Sequence, residues 1–359
     1  MIAEVENSGR EFWLGRPLII AGPCSAETEE QLWSTAKSIA ATGKVQVLRA
    51  GIWKPRTRPG SFEGVGAIAL PWMKKAKQTT GLLTAVEVAT AKQVEEALNN
   101  EIDILWIGAR TTANPFSVQE VADALKGVQV PVFIKNPVNA DIELWTGAYE
   151  RVLKAGVRKI GFIHRGFSSY GNTEFRNAPM WPLAIEMKTR NPGVPMINDP
   201  SHIGGRRDIL QEIAQKAIDL DYDGLMIETH IDPDNAWSDA FQQITPDALS
   251  ILLDNIIWRQ EGSISEETHP VLEKLRQQID QLDDELMYIL GQRMKLADQI
   301  GSYKKGNSIT ILQTKRWNDI MERACKKGTH LGLSEEFIKK YLDAVHMESI
   351  AHQTKIFNS

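Results

Sequence analysis

The stretch Pro17–Ala41, PLIIAGPCSAETEEQLWSTAKSIAA, holds the unit from which most of this chain is built. Its first residues are small and apolar, as expected of a strand that is covered on both faces. Its last part, Glu29–Ala41, has the apolar spacing of an amphipathic helix. The stretch therefore predicts one strand followed by one helix, which is the unit of a parallel sheet.

The same unit recurs along the chain as far as Trp258, with amphipathic segments such as Ala91–Asn99 and Arg207–Leu220 between the apolar runs. Eight units in about 240 residues predict a closed (β/α)8 barrel, that is, a TIM barrel. An open doubly wound sheet is the alternative, but no Gly-rich dinucleotide fingerprint follows the first run. The predicted strands are Pro17–Cys24, Val45–Gly51, Leu82–Val88, Ile104–Gly108, Val132–Lys135, Ile160–His164, Pro195–Asp199 and Gly224–Thr229.

A different periodicity follows the polar segment Gln260–Pro270, which reads as a linker. Apolar residues then recur at spacings of three and four, and the amphipathic pattern continues to Lys304. Such a helix would be on the order of 50 Å long. Two short helices of one subunit cannot bury it, so the pattern favours a homodimer. The recurring apolar residues are Leu272, Leu275, Ile279, Leu282, Leu286 and Ile289.

Two further helices complete this half, which shows no strand pattern. One is predicted near Ile311–Lys327 and ends at Gly328, and the next begins after Ser334, a good N-cap residue. We therefore divide the chain into a barrel (1–259), a linker (260–270) and a small all-helical, dimeric domain (271–359).

Composition and charge exclude several classes of protein. A net charge of −5 argues against nucleic-acid binding as the main function. No apolar run is long enough to span a membrane, and the N-terminus lacks the pattern of a signal peptide. Two cysteines are too few for a disulfide framework. The sequence favours a cytoplasmic protein with reduced thiols and without nucleic-acid or membrane partners.

Four potential metal ligands follow predicted strands at the end of the barrel where active sites lie. Cys24 follows the first strand, His202 the seventh and Glu228 ends the eighth, with Asp239 in the next loop. Closure of the barrel makes these strands neighbours. A thiolate, an imidazole and two carboxylates suit a borderline divalent ion, namely Mn²⁺, Fe²⁺, Co²⁺ or Zn²⁺.

Five cations end the other strands: Arg49, Lys54, Arg110, Lys135 and Arg165. Cations that face one mouth repel each other unless an anion lies among them. Because arginine matches phosphate and carboxylate groups with two hydrogen bonds, the pattern predicts a small polyanion beside the metal.

These strand ends resemble the short microbial DAHP synthases (3-deoxy-D-arabino-heptulosonate 7-phosphate synthases) over nearly the whole barrel. The resemblance implies phosphoenolpyruvate bound by the five cations, with Lys54 taking part in catalysis, a water placed by Glu87, and erythrose 4-phosphate bound by Pro55, Arg56 and Thr57. It also implies the metal ligands named above. The motifs are Gly22–Ser25, Lys54–Thr57, Ile107–Arg110, Ile134–Pro137, His164–Gly166, Asp199–His202 and Ile227–Glu228.

Two other barrel chemistries remain open from the sequence. Lys135 could form an imine in a Schiff-base aldolase, which would leave the four ligands without a role. The octulosonate 8-phosphate synthases are closer relatives, but their corresponding motif begins Lys-Ala-Asn-Arg, whereas this chain has Lys54-Pro55-Arg56. Preference for arabinose 5-phosphate over erythrose 4-phosphate would identify that alternative. Arg58 departs from the Ser or Thr that is common in DAHP synthases.

Polar residues in the helical half share helix faces. Arg293 and Lys304 lie eleven residues apart and so face the same way, as do Ser349 and Gln353, four residues apart. Arg276 lies roughly 25 Å from Arg293 along the same helix. It can therefore reach that site only from the other subunit of an antiparallel pair.

These positions resemble the all-helical chorismate mutases. The resemblance implies that Arg293, Arg316, Ser349 and the partner copy's Arg276 bind carboxylates, while Lys304 and Gln353 bind the ether oxygen during the rearrangement of chorismate to prephenate. Gln313, also assigned to the site, replaces a usual acidic residue, and Trp317 replaces a usual Glu. A non-catalytic dimerisation or ligand-sensing module is the alternative.

The resemblance to two enzymes also suggests regulation. Only about 16 residues precede the first strand, so we expect no regulatory domain before the barrel. Chorismate and prephenate both arise from the flux that such a barrel begins. We therefore expect prephenate, or chorismate, to inhibit the barrel through the helical domain.

Overall fold

The structure is a computed structural model, and it describes residues 17–55, 60, 62–171, 174–259 and 269–358. The chain divides into two compact units, one up to Glu261 and the other from Gly262 onward. Arg56 and Thr57 and most of the predicted linker lie outside the described residues. The linker prediction was too long at its end, because the first helix of the second unit already begins at His269.

Eight parallel strands among the described residues of the first unit form a closed barrel, which confirms the predicted fold. Closure comes from β1, which pairs with β2 on one side and with β8 on the other. The fifth and sixth strands have the predicted bounds, and the other six differ from the prediction by one or two residues at one or both ends. The strands are β1 Leu18–Gly22, β2 Val47–Ala50, β3 Leu83–Val88, β4 Ile104–Ile107, β5 Val132–Lys135, β6 Ile160–His164, β7 Met196–Asn198 and β8 Gly224–Glu228.

Helices cover the outside of the barrel, and several begin at a capping side chain. Thr28 accepts a hydrogen bond from the backbone of Gln31, and Thr90 accepts one from Gln93. The predicted helix Arg207–Leu220 is divided into a 3₁₀ turn, Arg207–Ile209, and a helix. The helices are α1 Glu29–Ala41, α2 Ala69–Thr80, α3 Ala91–Asn99, α4 Ala109–Thr112, α5 Pro115–Ala124, α6 Ile142–Lys154, α7 Trp181–Arg190, α8 Pro200–Gly204, α9 Leu210–Asp219 and α10 Pro246–Asn255.

Large side chains fill the inside of the barrel below its mouth. Trp106 and Phe133 are both about 1% exposed and pack against aliphatic residues from the other strands. Phe133 fits because Gly161 faces it, and a Cβ at that glycine would lie 2.4 Å from the phenyl ring. The indole ring of Trp106 lies at the base of the mouth, where the cationic groups of Arg49 and Lys135 contact its face.

The second unit consists, in its described part, of three helices: α11 His269–Gly306, α12 Thr314–His330 and α13 Glu335–Asn358. The hydroxyl of Ser334 accepts from the backbone of Phe337 at 3.2 Å, as expected of the predicted N-cap. The predicted helix end at Gly328 was wrong. This glycine lies inside α12, where a Cβ would come within 2.5 Å of Ile338 on α13, so its role is close packing.

One side of α11 packs along α13, while much of its apolar stripe faces outward. Leu275, Ile279, Leu282 and Ile289 are each more than half exposed. At about 57 Å, the 38-residue helix is far longer than its neighbours can cover. None of the described helices has both the length and the apolar composition needed to cross a membrane.

His164 lies on the outer face of β6 in a buried cluster of aromatic rings. Its Nδ1 accepts from the hydroxyl of Tyr222 at 2.9 Å, and its Nε2 donates to the carbonyl oxygen of Pro179 at 2.6 Å. The ring of Trp181 meets it edge-on at 5.2 Å. A neutral imidazole satisfies both bonds, and burial lowers the pKa of His164 to about 4.

We expect His164 to make the barrel acid-sensitive. Histidine titrates near pH 6.5 when unfolded but near 4 in this structure. The stabilisation is therefore fully present above about pH 6.5 and is lost as the pH falls towards 4, by about 2 kcal/mol at pH 4.5. Denaturant unfolding should be measured above pH 6.5 and at pH 4.5. The free energy of unfolding should fall less between these conditions in His164→Gln than in the wild type. His330→Gln, at an exposed position, should keep the wild-type loss, and an unchanged loss in His164→Gln would contradict the assignment.

Candidate active sites of the two units

The barrel brings its candidate residues together because the carboxyl ends of parallel strands meet at one mouth. Cys24 follows β1, Arg49 lies in β2, Lys135 ends β5 and Glu228 ends β8. All four side chains are buried. Gly22 permits this assembly, since a Cβ there would lie 2.0 Å from the carbonyl oxygen of Arg49.

Three of the four predicted metal ligands form one group. The ligand atoms of Cys24, Glu228 and Asp239 all lie within 4.8 Å of one another. Cys24 Sγ is 3.2 Å from an Asp239 carboxylate oxygen. His202 does not belong to this group, but its Nε2 lies 3.8 Å from Glu228. Its other ring nitrogen, Nδ1, lies 3.0 Å from an oxygen of Asp199, a residue the sequence did not single out.

The electrostatics of this group fit a divalent cation. Burial and the carboxylate of Glu228 raise the pKa of the Cys24 thiol to about 12. Burial also opposes ionisation of Glu228, but His202, Arg49 and Lys54 outweigh it and lower the pKa of that carboxyl. The Lys54 ammonium lies 2.5 Å from Cys24 Sγ, so the position already attracts positive charge. One soft and two hard donors, buried together, are a suitable set for a borderline metal.

Two adjacent glutamines hold this group in place, and sequence analysis missed both. Gln242 donates to Glu228 at 2.6 Å and contacts Arg176, which also forms an ion pair with Asp239 at 3.0 Å. Gln243 accepts from the backbone N–H of Cys24 at 2.8 Å. A glutamine in a loop carries no periodic signal, so nothing in the sequence marks these residues apart from their position after Asp239.

The predicted cations line the same mouth. Arg49 pairs with Glu228 at 3.1 Å, and its guanidinium lies 5.0 Å above the Trp106 ring. Lys135 pairs with the buried carboxylate of Asp199 at 2.9 Å and lies 5.8 Å from the same ring. The indole therefore carries two cations side by side.

Arg165 and Arg110 each lie shortly after the end of a strand. Arg165 donates to the side chain of Asn177 at 2.7 Å, and burial lowers its pKa to about 10. Arg110 is exposed in α4. Pro55 is half-buried, whereas Arg56 and Thr57 lie outside the described residues, so their predicted contact with a sugar phosphate has no structural counterpart.

Glu87 of β3 is aligned by Trp106, whose indole N–H donates to its carboxylate at 3.0 Å. Gly108 leaves the room that the carboxylate needs, because a Cβ there would lie 2.0 Å from a Glu87 oxygen. The hydrogen bond from Trp106 thus orients the Glu87 carboxylate, and the absence of a side chain at Gly108 leaves space for it.

A second polar cluster lies in the helical unit. Lys304, Ser349 and Gln353 are each less than a tenth exposed. Arg293 donates to the hydroxyl of Ser349, and Lys304 donates to the carbonyl oxygen of Ile311 at 2.6 Å. Burial lowers the pKa of Lys304. Four of the predicted residues therefore lie on facing surfaces of α11 and α13.

The other predicted residues of this cluster are exposed. Arg316 and Gln313 lie at the start of α12, and Arg276 pairs with Glu273 at 2.7 Å on its own helix. The structure does not bring these three into the cluster within the described chain. Trp317 stacks on His346, with ring centroids 4.1 Å apart and planes 18° from parallel. Sequence analysis did not predict this pair.

Comparisons with known proteins match each of the two units to a family. Residues 14–266 match the DAHP synthetase I family, and residues 275–354 match chorismate mutase type II. A phospho-2-dehydro-3-deoxyheptonate aldolase of Thermotoga maritima is 32% identical over 63% of this chain, which spans 64% of that relative. A 2-dehydro-3-deoxyphosphooctonate aldolase of Desulfatibacillum aliphaticivorans is 28% identical over 68% of this chain and 92% of the relative.

A solved structure supports the same assignment. The crystal structure of the DAHP synthase of Thermotoga maritima is 30% identical, covers 67% of this chain and 68% of its own, and gives a TM-score of 0.60. The barrel fold is thus shared with a solved relative. The chain belongs to the DAHP synthetase I family and carries, after its barrel, a segment of the chorismate mutase type II family.

Proposed function

We propose that this chain is a bifunctional enzyme of the shikimate pathway of aromatic amino acid biosynthesis. The barrel condenses phosphoenolpyruvate with erythrose 4-phosphate, and the helical unit rearranges chorismate to prephenate. The observation that carries the first activity is the buried group of Cys24, Glu228 and Asp239 beside Arg49 and Lys135. The names of the families and of the Thermotoga maritima relative support both activities.

The barrel activity depends on a divalent metal held by Cys24, Glu228 and Asp239, with His202 as the fourth ligand. Mn²⁺, Fe²⁺, Co²⁺ and Zn²⁺ all suit this set. When bound, the ion supplies Lewis acidity towards the aldehyde carbonyl. Gln242 and Gln243 fix the positions of two of the metal ligands, Glu228 and Cys24, by hydrogen bonds. This limits the geometries that the metal site can adopt.

The cations bind and orient phosphoenolpyruvate. Arg49 and Lys135, fixed on the Trp106 ring, offset the charge of its carboxylate and phosphate, together with Lys54, Arg110 and Arg165. The enol carbon then forms a bond with the aldehyde carbon. A water molecule oriented by Glu87 adds at the carbon left electron-poor, and inorganic phosphate leaves with cleavage of its C–O bond.

Two alternatives are less well supported, one by the structure and the other by the sequence. An imine-forming lysine needs a free amine to attack a carbonyl, but the side-chain nitrogen of Lys135 is engaged by the buried carboxylate of Asp199 at 2.9 Å. The octulosonate aldolases are relatives of similar length to the barrel and use a different sugar phosphate. Pro55, followed by Arg56 and Thr57, is the sequence feature that favours erythrose 4-phosphate.

The mutase needs no nucleophile. Arg293, Arg316 and Ser349 bind carboxylates, while Lys304 and Gln353 bind the ether oxygen, which gains negative charge as its bond breaks. Lys304 and Gln353 are buried, so their hydrogen bonds to that oxygen are strong. Gln313 contributes from the start of α12.

The helical unit forms a homodimer through the apolar stripe of α11. Leu275, Ile279, Leu282 and Ile289 cover this face and are exposed in the single chain. An antiparallel copy of α11 would bury them and would carry its own Arg276 to the first copy's cluster. The stripe and the distant arginine are thus explained by one assembly.

Prephenate regulates the barrel. A ligand of the helical unit changes barrel activity if the barrel distinguishes the ligand-bound and ligand-free states of that unit. The chain joins the first enzyme of a pathway to an enzyme that acts on a later intermediate of the same pathway. Such a coupling allows the later intermediate to control the first step.

Cys24→Ala should lower condensation on the order of 100-fold or more at limiting metal, because it removes a ligand. The same protein should retain mutase activity, since the helical unit is separate. Metal content after desalting, with condensation assayed on erythrose 4-phosphate and arabinose 5-phosphate in parallel, measures the effect. Cys325→Ala is the matched control and should change neither. Full metal content in Cys24→Ala would rule out ligand status.

Arg276→Ala and Arg293→Ala should each abolish mutase activity, yet a mixture of the two should regain roughly a quarter of it. Random exchange makes half of the dimers mixed, and each mixed dimer has one intact site. Arg293→Ala mixed with Arg316→Ala is the control and should regain nothing, because both residues serve the site of their own subunit. If subunits exchange and no activity returns to the first mixture, the shared site is wrong.

Prephenate should inhibit condensation by the wild-type protein. Full-length Arg293→Ala, which loses a carboxylate-binding residue of the helical unit, should condense at the wild-type rate and be insensitive to prephenate. Lys295→Ala, on the same helix, should remain sensitive. Inhibition of Arg293→Ala equal to that of the wild type would assign the inhibitor to the barrel, and a wild type without inhibition would end the proposal.

A further inference from the structure

The helical unit holds one more inward-facing polar group, the imidazole of His346 on α13. Its ring is fixed by stacking on Trp317 of α12 at 4.1 Å. Its Nε2 is buried and, among the described residues, has no hydrogen-bond partner. A buried polar atom without a partner is costly, so it is expected to meet a partner when the site works.

The position of His346 assigns it to the mutase cluster. It precedes Ser349 by three residues and Gln353 by seven, so all three share one face of α13. The side-chain oxygen of Gln353 is likewise buried and unpartnered within the described chain. Two such atoms on one face indicate a ligand that carries hydrogen-bonding groups of its own.

The charges around His346 determine which ligand group it suits. Burial lowers its pKa, and so do the nearby charges of Arg293 and Lys304, while Asp343 acts in the opposite direction. The ring is therefore uncharged near neutral pH. The two neighbouring cations already suffice to bind a carboxylate, so the imidazole is not needed for that purpose. An uncharged imidazole can instead both donate a hydrogen bond to a neutral group and accept one from it.

We infer that His346, held in place by Trp317, is a specificity-determining residue that hydrogen-bonds the ring hydroxyl of the bound ligand. This rests on the proposed mutase function. Chorismate has two carboxylates, an ether oxygen and one hydroxyl. The arginines bind the carboxylates, and Lys304 and Gln353 bind the ether. The hydroxyl is the group left over, and Trp317, unlike a glutamate, has no acceptor to offer it.

The test compares chorismate with an analogue that lacks the ring hydroxyl. His346→Leu should lower kcat/KM for chorismate about 10-fold, the effect of leaving a buried hydroxyl unpaired. For the deoxy analogue it should change kcat/KM by no more than about 2-fold, because no hydrogen bond is lost. His346→Gln, which can still donate and accept, should recover most of the activity on chorismate. His352→Gln, on the same helix, is the control and should leave kcat/KM unchanged for both chorismate and the deoxy analogue.

The two ligands separate a contact from a general structural effect. Equal losses on chorismate and on the deoxy analogue in His346→Leu would mean that His346 only supports the fold, and would overturn the inference while leaving the mutase intact. A selective loss on chorismate with rescue by His346→Gln supports it. A wild-type protein that neither binds nor rearranges chorismate would overturn both this inference and the proposed mutase.

Discussion

The pairing of β1 with β8 is the constraint on which the barrel site depends. It joins the two ends of the sheet in register, with Gly22 opposite Glu228. The loop that carries Cys24 and the loop that carries Asp239 therefore leave the barrel side by side, although more than two hundred residues separate them. An open sheet would leave these strands at opposite edges, and the three ligands could not meet.

This closure creates a charge problem that the neighbouring strands solve. A thiol and two acidic groups, Glu228 and Asp199, are buried at one end of the barrel, and Asp239 beside them is half-buried. Buried carboxylates are stable only when they are paired. Arg49 serves Glu228, Lys135 serves Asp199 and Arg176 serves Asp239. Arg49 and Lys135, which we assign to substrate binding, thus also pair with buried carboxylates, so each of these two residues has two functions.

Sequence patterns predicted the parts of this arrangement that are periodic or lie at the end of a periodic element. All eight strands and the positions of Cys24, Glu228 and Lys135 followed from local apolar runs. The partners of those residues did not. Gln242 and Gln243 act through hydrogen bonds to residues that are distant in the sequence or irregularly placed, which leave no periodic trace. The helix end placed at Gly328 failed for the opposite reason, because a local signal was overridden by the packing of Ile338 against that glycine.

The two sites differ in how the charges of their cations are balanced in the absence of substrate. In the barrel, Arg49 and Lys135 already have anionic partners within the protein. In the helical cluster, Lys304 donates to a carbonyl oxygen and Arg293 to a hydroxyl, both neutral groups. Burial disfavours the charge of Lys304. A dianionic ligand would supply the missing negative charge and would therefore stabilise the folded helical unit in proportion to its binding. A carboxylate ligand is therefore expected to change the stability of the helical unit, which is a property that the proposed regulatory role requires.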